Sequence, residues 1–362
     1  MTHGNNSVQQ PHAGRSPIAR LVGRLTADGD ASNRTPTTWG PLAWFAVAVI
    51  AVELVGLQGY RLLTGQVLTF VQNPLWLIRP LVLLGAALGT ESLYRRYDRA
   101  LTRSNIGDRV EKPERFDRLV PDWLVWLLVG LGIGFTLVNA VAILTIQQLY
   151  AAGGATRVFR FLVVTPFGYV PILATFLATY VAVEVMLPRR IAAVDIELDY
   201  LDPEQLGGMR PIGELVKLAY YYLMVGLVAY AIATYGPHIL SGALGYSALD
   251  APGLAVNIAF TAVWILSVGI MAYGIYVLHQ HMARQKRERL YDLDRQAREQ
   301  VDAPWDIQSF DALNPPSEYR RYRKQVEFVT GTKEYPATFT MWTQLVVGVM
   351  LPKAIQLLLA AV

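Results

Sequence analysis

The chain has no cysteine. That excludes disulfides, thiolate metal sites, iron–sulfur clusters and a cysteine nucleophile, and it leaves methionine oxidation as the only sulfur redox chemistry. Other chemistry-bearing patterns are absent as well. There is no GxxxxGK[ST] phosphate loop, no HExxH, no glycine elbow around a serine, and no aspartate pair of the intramembrane protease or prenyltransferase kind. No catalytic residue, metal site or cofactor is therefore expected, and an enzyme is not the expected class. Charge is scarce too, at 17% of residues, and it is concentrated outside long apolar stretches. The first 40 residues lack the apolar core of a cleavable signal peptide and are rich in Asn, Gln, Ser, Thr, Pro and Gly.

What the chain has is apolar length. Runs at 41–63, 75–94, 123–149, 159–187, 215–240, 254–278 and 340–362 each reach the roughly 20 residues needed to cross a hydrocarbon core of about 30 Å. Hydrophobic residues make up 53% of the chain. The expected fold is all-α, a polytopic protein with seven transmembrane helices in a cell membrane, with the bilayer as its solvent.

Basic residues alternate between the gaps. Arg15, Arg20, Arg24 and Arg34 precede the first run, and Arg95 to Arg118 fill the second gap, whereas 241–253 holds no Lys or Arg. The sixth gap is again basic. Under the positive-inside rule this places the N-terminus inside and the C-terminus outside. Trp39, Trp123 and Trp342 at inner entries and Trp76 at an outer one agree, because amphipathic rings favour the headgroup layer. The same rule accounts for the high pI near 9.1, so nucleic acid is not an expected partner. This orientation is the reverse of the rhodopsin-like receptors.

Four regions follow: a disordered cytoplasmic tail at 1–40, a six-helix membrane region at 41–281, a cytoplasmic helical extension at 282–339 and a seventh span at 340–362. Helix-forming residues from His279 through Gln300 carry the sixth helix past its apolar run, with no Gly or Pro until Pro304. Tyr319, Tyr322, Val326 and Val329 then mark one face of a short helix before Gly331. In the gap at 188–214, Asp202, Pro203, Gly207 and Gly208 predict a structured loop with a tight turn, followed by Pro211 at a helix start.

Several polar residues are candidate sites. Glu53 lies mid-span, where it is either a coupling carboxylate or a hydrogen-bonded packing residue, and Arg79 is its nearest foreseeable partner. Glu91 and Glu184 fall near cytoplasmic helix ends, where solvated or arginine-paired roles are expected. Asn139 and Asn257 suit interhelical hydrogen bonds, and Gly85 with Gly89 and Gly130 with Gly134 suit close helix packing. Asp195, Glu197, Asp199 and Asp202 lack EF-hand spacing, so a solvated face or pairing with Arg189, Arg190 or Arg210 is expected. His279 and His281, two apart, point to different faces of a helix. In the last span Thr340, Thr343, Gln344, Lys353 and Gln356 interrupt an apolar helix. At 1.5 Å per residue Lys353 sits roughly 20 Å from the inner entry, and it either lines a polar path or snorkels outward.

Asp202-Pro203 with Gly207-Gly208, and the stretch from Tyr322 through Glu334-Tyr335-Pro336, resemble a group of uncharacterised prokaryotic multi-pass proteins. Seven spans, an inside N-terminus, an extended sixth helix and a short helix before the last span are also similar to the insect odorant and gustatory receptor family of ligand-gated cation channels. Thr338-Phe339 and Gln344-Leu345 echo that family's last-span signature, with one residue fewer between the pairs and Leu for Phe. This resemblance implies an ion channel-like or chemoreceptor-like homo-oligomer, a tetramer in that family, with the last helix lining the pore for an unknown small ligand or ion. A secondary transporter using Glu53 and a membrane scaffold binding partners through 282–339 are the alternatives.

Overall fold

The protein is represented by a computed structural model that describes residues 16–26, 39–106, 109–110, 113–143, 145–244, 253–299, 317–336 and 339–361. Among them there is no strand. The helices are α1 (Pro17–Thr26), α2 (Pro41–Leu63), α3 (Pro74–Arg103), α4 (Asp122–Ala142), α5 (Gly153–Val194), α6 (Arg210–Leu244), α7 (Leu254–Arg298), α8 (Ser317–Gly331) and α9 (Phe339–Ala361). Six of these, α2 to α7, are long and apolar enough to cross a membrane. Helix is the only open form such segments can take in hydrocarbon, because every backbone N–H and C=O must be paired internally.

Part of the tail expected to be disordered is helical. In α1, Ile18 and Ala19 are buried, and Arg20 pairs with Asp122 at the start of α4 at 2.5 Å. An amphipathic decapeptide can thus dock where its apolar side finds cover. The run at 123–149 is likewise not one helix. It stops after Ile143, and Thr145 at φ 53° restarts the chain, accepting a bond from Gln148 N at 3.4 Å.

Packing follows the small residues. α3 lies against α2, α5 and α6; α4 packs on α5, and α6 carries α9 on another face. The core is continuous through Leu42, Leu83, Ala87, Ile172, Ala178, Ala219 and Tyr220. Gly132 abuts Val170, and Gly168 abuts Val49, each with room for no more than a hydrogen. Of the glycines expected to mediate packing, only Gly89 does so, against Phe176 and Tyr222, while Gly85, Gly130 and Gly134 have open space where a side chain would project. Four-residue spacing places glycines on one face of a helix, and only tertiary context decides whether a neighbour uses it.

At 45 residues α7 is about 67 Å long, roughly twice the hydrocarbon thickness. Just past its apolar run it packs on the end of α5 and on α8. The stretch after α8 returns to the bundle at Gly213 on α6, where an added Cβ would sit 3.0 Å from the carbonyl carbon of Pro336.

Candidate functional site: a buried carboxylate at an arginine-lined cavity

Glu53 is fully buried, and the backbone around it is not regular α-helix. Val52–Leu57 forms a π-helical turn in α2, and Arg160–Tyr169 forms another in α5. Each widens the helix and re-aims its side chains, a feature that collects at functional sites. The two irregular segments meet at Glu53. Arg160 Nε lies 2.7 Å from one carboxylate oxygen, and the Tyr169 hydroxyl donates to the other. A charge at this depth requires such partners. Arg160 also rests its guanidinium over Trp76, 5.3 Å from the ring centroid, a cation–π contact from α3.

This cluster forms the floor of a cavity of about 540 Å³ lined by Glu53, Arg61, Trp76, Arg79, Arg157 and Arg160, among others. Its rim is built by the return from α2 to α3. Gln58 holds Thr69 twice, accepting from its backbone N–H at 2.9 Å and donating to its hydroxyl at 3.1 Å, and Arg61 donates to the same hydroxyl at 2.6 Å. Across the cavity, Gly154 at φ +64° makes the kink from which α5 leaves. Arg79 shares the cavity but makes no ion pair with Glu53; Arg160 takes that place. Four arginines thus face one carboxylate that is already neutralised by one of them.

The polar residues of α9 go elsewhere. Lys353 donates to Thr261 at 2.8 Å and to Gln356 Oε1 at 2.6 Å. Gln356 in turn donates to the Tyr235 hydroxyl at 3.0 Å and to Asn257 Oδ1 at 3.3 Å, and Tyr235 donates to Asn257. Trp264 closes the contact from α7 by donating to the Val349 carbonyl at 2.8 Å. Lys353 and Gln356 therefore point at α6 and α7 of their own chain. Thr343 is exposed, and the side chains of Thr340 and Gln344 lie outside the described residues.

At the opposite end of the bundle the loop before α6 is held by Asp202. Its carboxylate accepts from the backbone N–H groups of Glu204 at 3.1 Å, Leu206 at 3.0 Å and Gly208 at 2.9 Å. Pro203 starts the tight coil between them, and Gly207 and Gly208 take φ +64° and +73°. Arg109 inserts beneath, donating to the Ser104, Glu197 and Gly207 carbonyls. Burial lowers the Arg109 pKa, against the raising pull of Asp199, Glu197 and Asp202.

The arginines expected to pair with this acidic cluster have other partners. Arg189 donates to the Tyr273 hydroxyl at 2.7 Å, Arg190 to the Arg118 carbonyl at 2.5 Å, and Arg210 pairs with Glu204 and Glu214. Asp195, in the left-handed region at φ 57°, instead receives Arg284 and Gln285 from α7. His281 reaches the Ile196 carbonyl at 3.0 Å, whereas His279 stacks on Tyr335 with centroids 4.1 Å apart. Among the described residues no three His, Asp or Glu side chains converge as a metal site.

Two further glutamates depart from expectation. Glu91 is half-buried and, among the described residues, makes no arginine pair; it caps α2, accepting from the Gly40 and Ala43 N–H groups at 2.8 and 3.1 Å. Glu184 is fully buried in a further π-helical turn, Ala182–Met186. The partners of Glu53, Arg160 and Tyr169, leave no signal in the sequence pattern. Arg160 opens an apolar run, where it counts as a boundary residue, and nothing in the spacing shows a π turn carrying it inward. Matched against family models, curated proteins and solved structures, the chain gave no match to any of them.

Proposed function

We propose that this chain is a multi-pass cell-membrane protein that binds a small anionic solute in the arginine-lined cavity. The observation that carries the reading is the convergence of Arg61, Arg79, Arg157 and Arg160 around a single buried carboxylate. Guanidinium groups match carboxylate and phosphate oxygens in paired, planar hydrogen bonds. With the N-terminus inside and seven spans, this cavity opens at the outer face and the α7–α8 extension lies in the cytoplasm. An outward anion site with an ionisable floor suits a secondary transporter in which Glu53 exchanges Arg160 between itself and the solute. Pairing of Lys353 and Gln356 with α6 and α7 favours this over a homo-oligomeric pore lined by α9.

Thermal-shift measurements on purified protein with phosphate, sulfate and small carboxylates test the proposal. At least one anion is expected to stabilise the wild type well beyond chloride, and Arg61→Gln or Arg79→Gln to weaken that response tenfold or more. No anion-specific stabilisation would overturn it. So would reconstituted protein that conducts cations with a selectivity altered by Lys353→Ala, the outcome belonging to the pore.

A further inference from the structure

Glu184 is the one described carboxylate with no exposure and no hydrogen bond to either oxygen. Its surroundings explain why none forms. α7 crosses α5 at Gly274, so closely that an added Cβ there would overlap the Glu184 carbonyl oxygen and lie 3.6 Å from Oε2. The crossing therefore excludes both side chains and solvent from the α7 side. From α6 comes Tyr220, whose hydroxyl is likewise buried without a partner, and from α5 itself comes Tyr180, whose hydroxyl is committed to the Ser267 carbonyl at 3.0 Å. Among the described residues no cation approaches: Arg189 and Arg190, one to two turns on, are held by Tyr273 and the Arg118 carbonyl.

An ionised carboxylate left without a donor in an apolar interior costs far more than one domain's net stability, so the group adopts its neutral form or acquires a partner. Its backbone supports a functional origin, because the π turn spends regular helical hydrogen bonding to turn this residue inward. We propose that Glu184 is a membrane-embedded proton-binding site, occupied while α5, α6 and α7 are packed at Gly274 and emptied only when that crossing opens. The ligand is a proton, taken up on a carboxylate oxygen that has no other donor. Nothing in this depends on the anion cavity, which lies at the other end of α5.

Infrared spectroscopy of the full chain in sodium-free lipid vesicles at neutral pH reads the site directly. A protonated-carboxyl C=O band is expected; it should shift on ¹³C-glutamate labelling, survive Glu53→Gln and vanish in Glu184→Gln. The labelling result needs no variant of Glu184, so it stands even where Glu184→Gln fails to fold. Absence of a glutamate band at neutral pH overturns the proposal, as does its persistence in Glu184→Gln. Loss of the band when sodium is added would mean that the carboxylate holds a metal ion, and would overturn it too.

Discussion

Breaking the Glu53–Arg160 pair should cost far more than removing it. The two groups approach to 2.7 Å with side-chain exposures of 0% and 19%, so neither can recover by turning to water. Removing one partner of such a buried pair costs about 3–5 kcal/mol, and the polar cavity beside Arg160 argues for the lower end, about 3 kcal/mol, in Glu53→Gln. Gln can still accept from Tyr169, which turns a charge-assisted bond into a neutral one and adds about 1 kcal/mol. Arg160→Gln should cost at least as much, since it strands the less exposed member. The double variant leaves no buried charge, so its loss should fall about 2–3 kcal/mol short of the sum of the single losses. Unfolding in mixed micelles with increasing SDS, followed by circular dichroism, gives all three values. A coupling energy below about 0.5 kcal/mol would refute the view that this pair organises the floor of the cavity.

Gly274→Val should destabilise the bundle by about 1–3 kcal/mol in the same assay, because the new side chain meets backbone rather than a movable side chain; unchanged stability would mean the crossing is looser than described. Asp202→Ala removes the acceptor of three backbone N–H groups and should speed amide exchange across 199–209, while leaving exchange in α3 unaffected. Asp195 has a lowered pKa: burial alone would raise it, but the bonds from Gln285 and Arg284 outweigh that. A lowered carboxylate pKa contributes stability present above the ordinary aspartate range and lost as pH falls through and below it. Local exchange at 195–200 should accordingly rise on acidification below about pH 4, and Asp195→Asn should abolish that dependence.

Apolar length and charge alternation suffice to read an α-helical membrane protein, since both report the transfer cost of long segments rather than any single contact. The same averaging explains what they miss. A hydropathy run treats Arg160 and Glu184 as residues near its ends, where interface placement costs least. Yet three π-helical turns rotate Glu53, Arg160 with Tyr169, and Glu184 into the interior. Such a turn leaves composition unchanged and alters only phase, so no periodicity count over one sequence reveals it. Asp202 was legible for the opposite reason. An Asp-Pro followed by Gly-Gly encodes local geometry, and its hydrogen bonds close within six residues.

The distinction bears on where the chemistry of this chain should be sought. The polar residues Lys353 and Gln356 of α9 hydrogen-bond one another and their neighbours on α6 and α7. Around Glu53 the balance is different: among the described lining residues, Arg61 and Arg79 stand beside a carboxylate that Arg160 already neutralises, and the space between them is open. An unbalanced charge facing a cavity at membrane depth is stable only if water or a counter-ion enters. Arg79→Gln, by relieving like-charge crowding, should therefore leave the empty protein as stable as the wild type or more so, even as it removes stabilisation by anions. A fold weakened in the absence of anion by this substitution would assign Arg79 to packing and withdraw the cavity as a site.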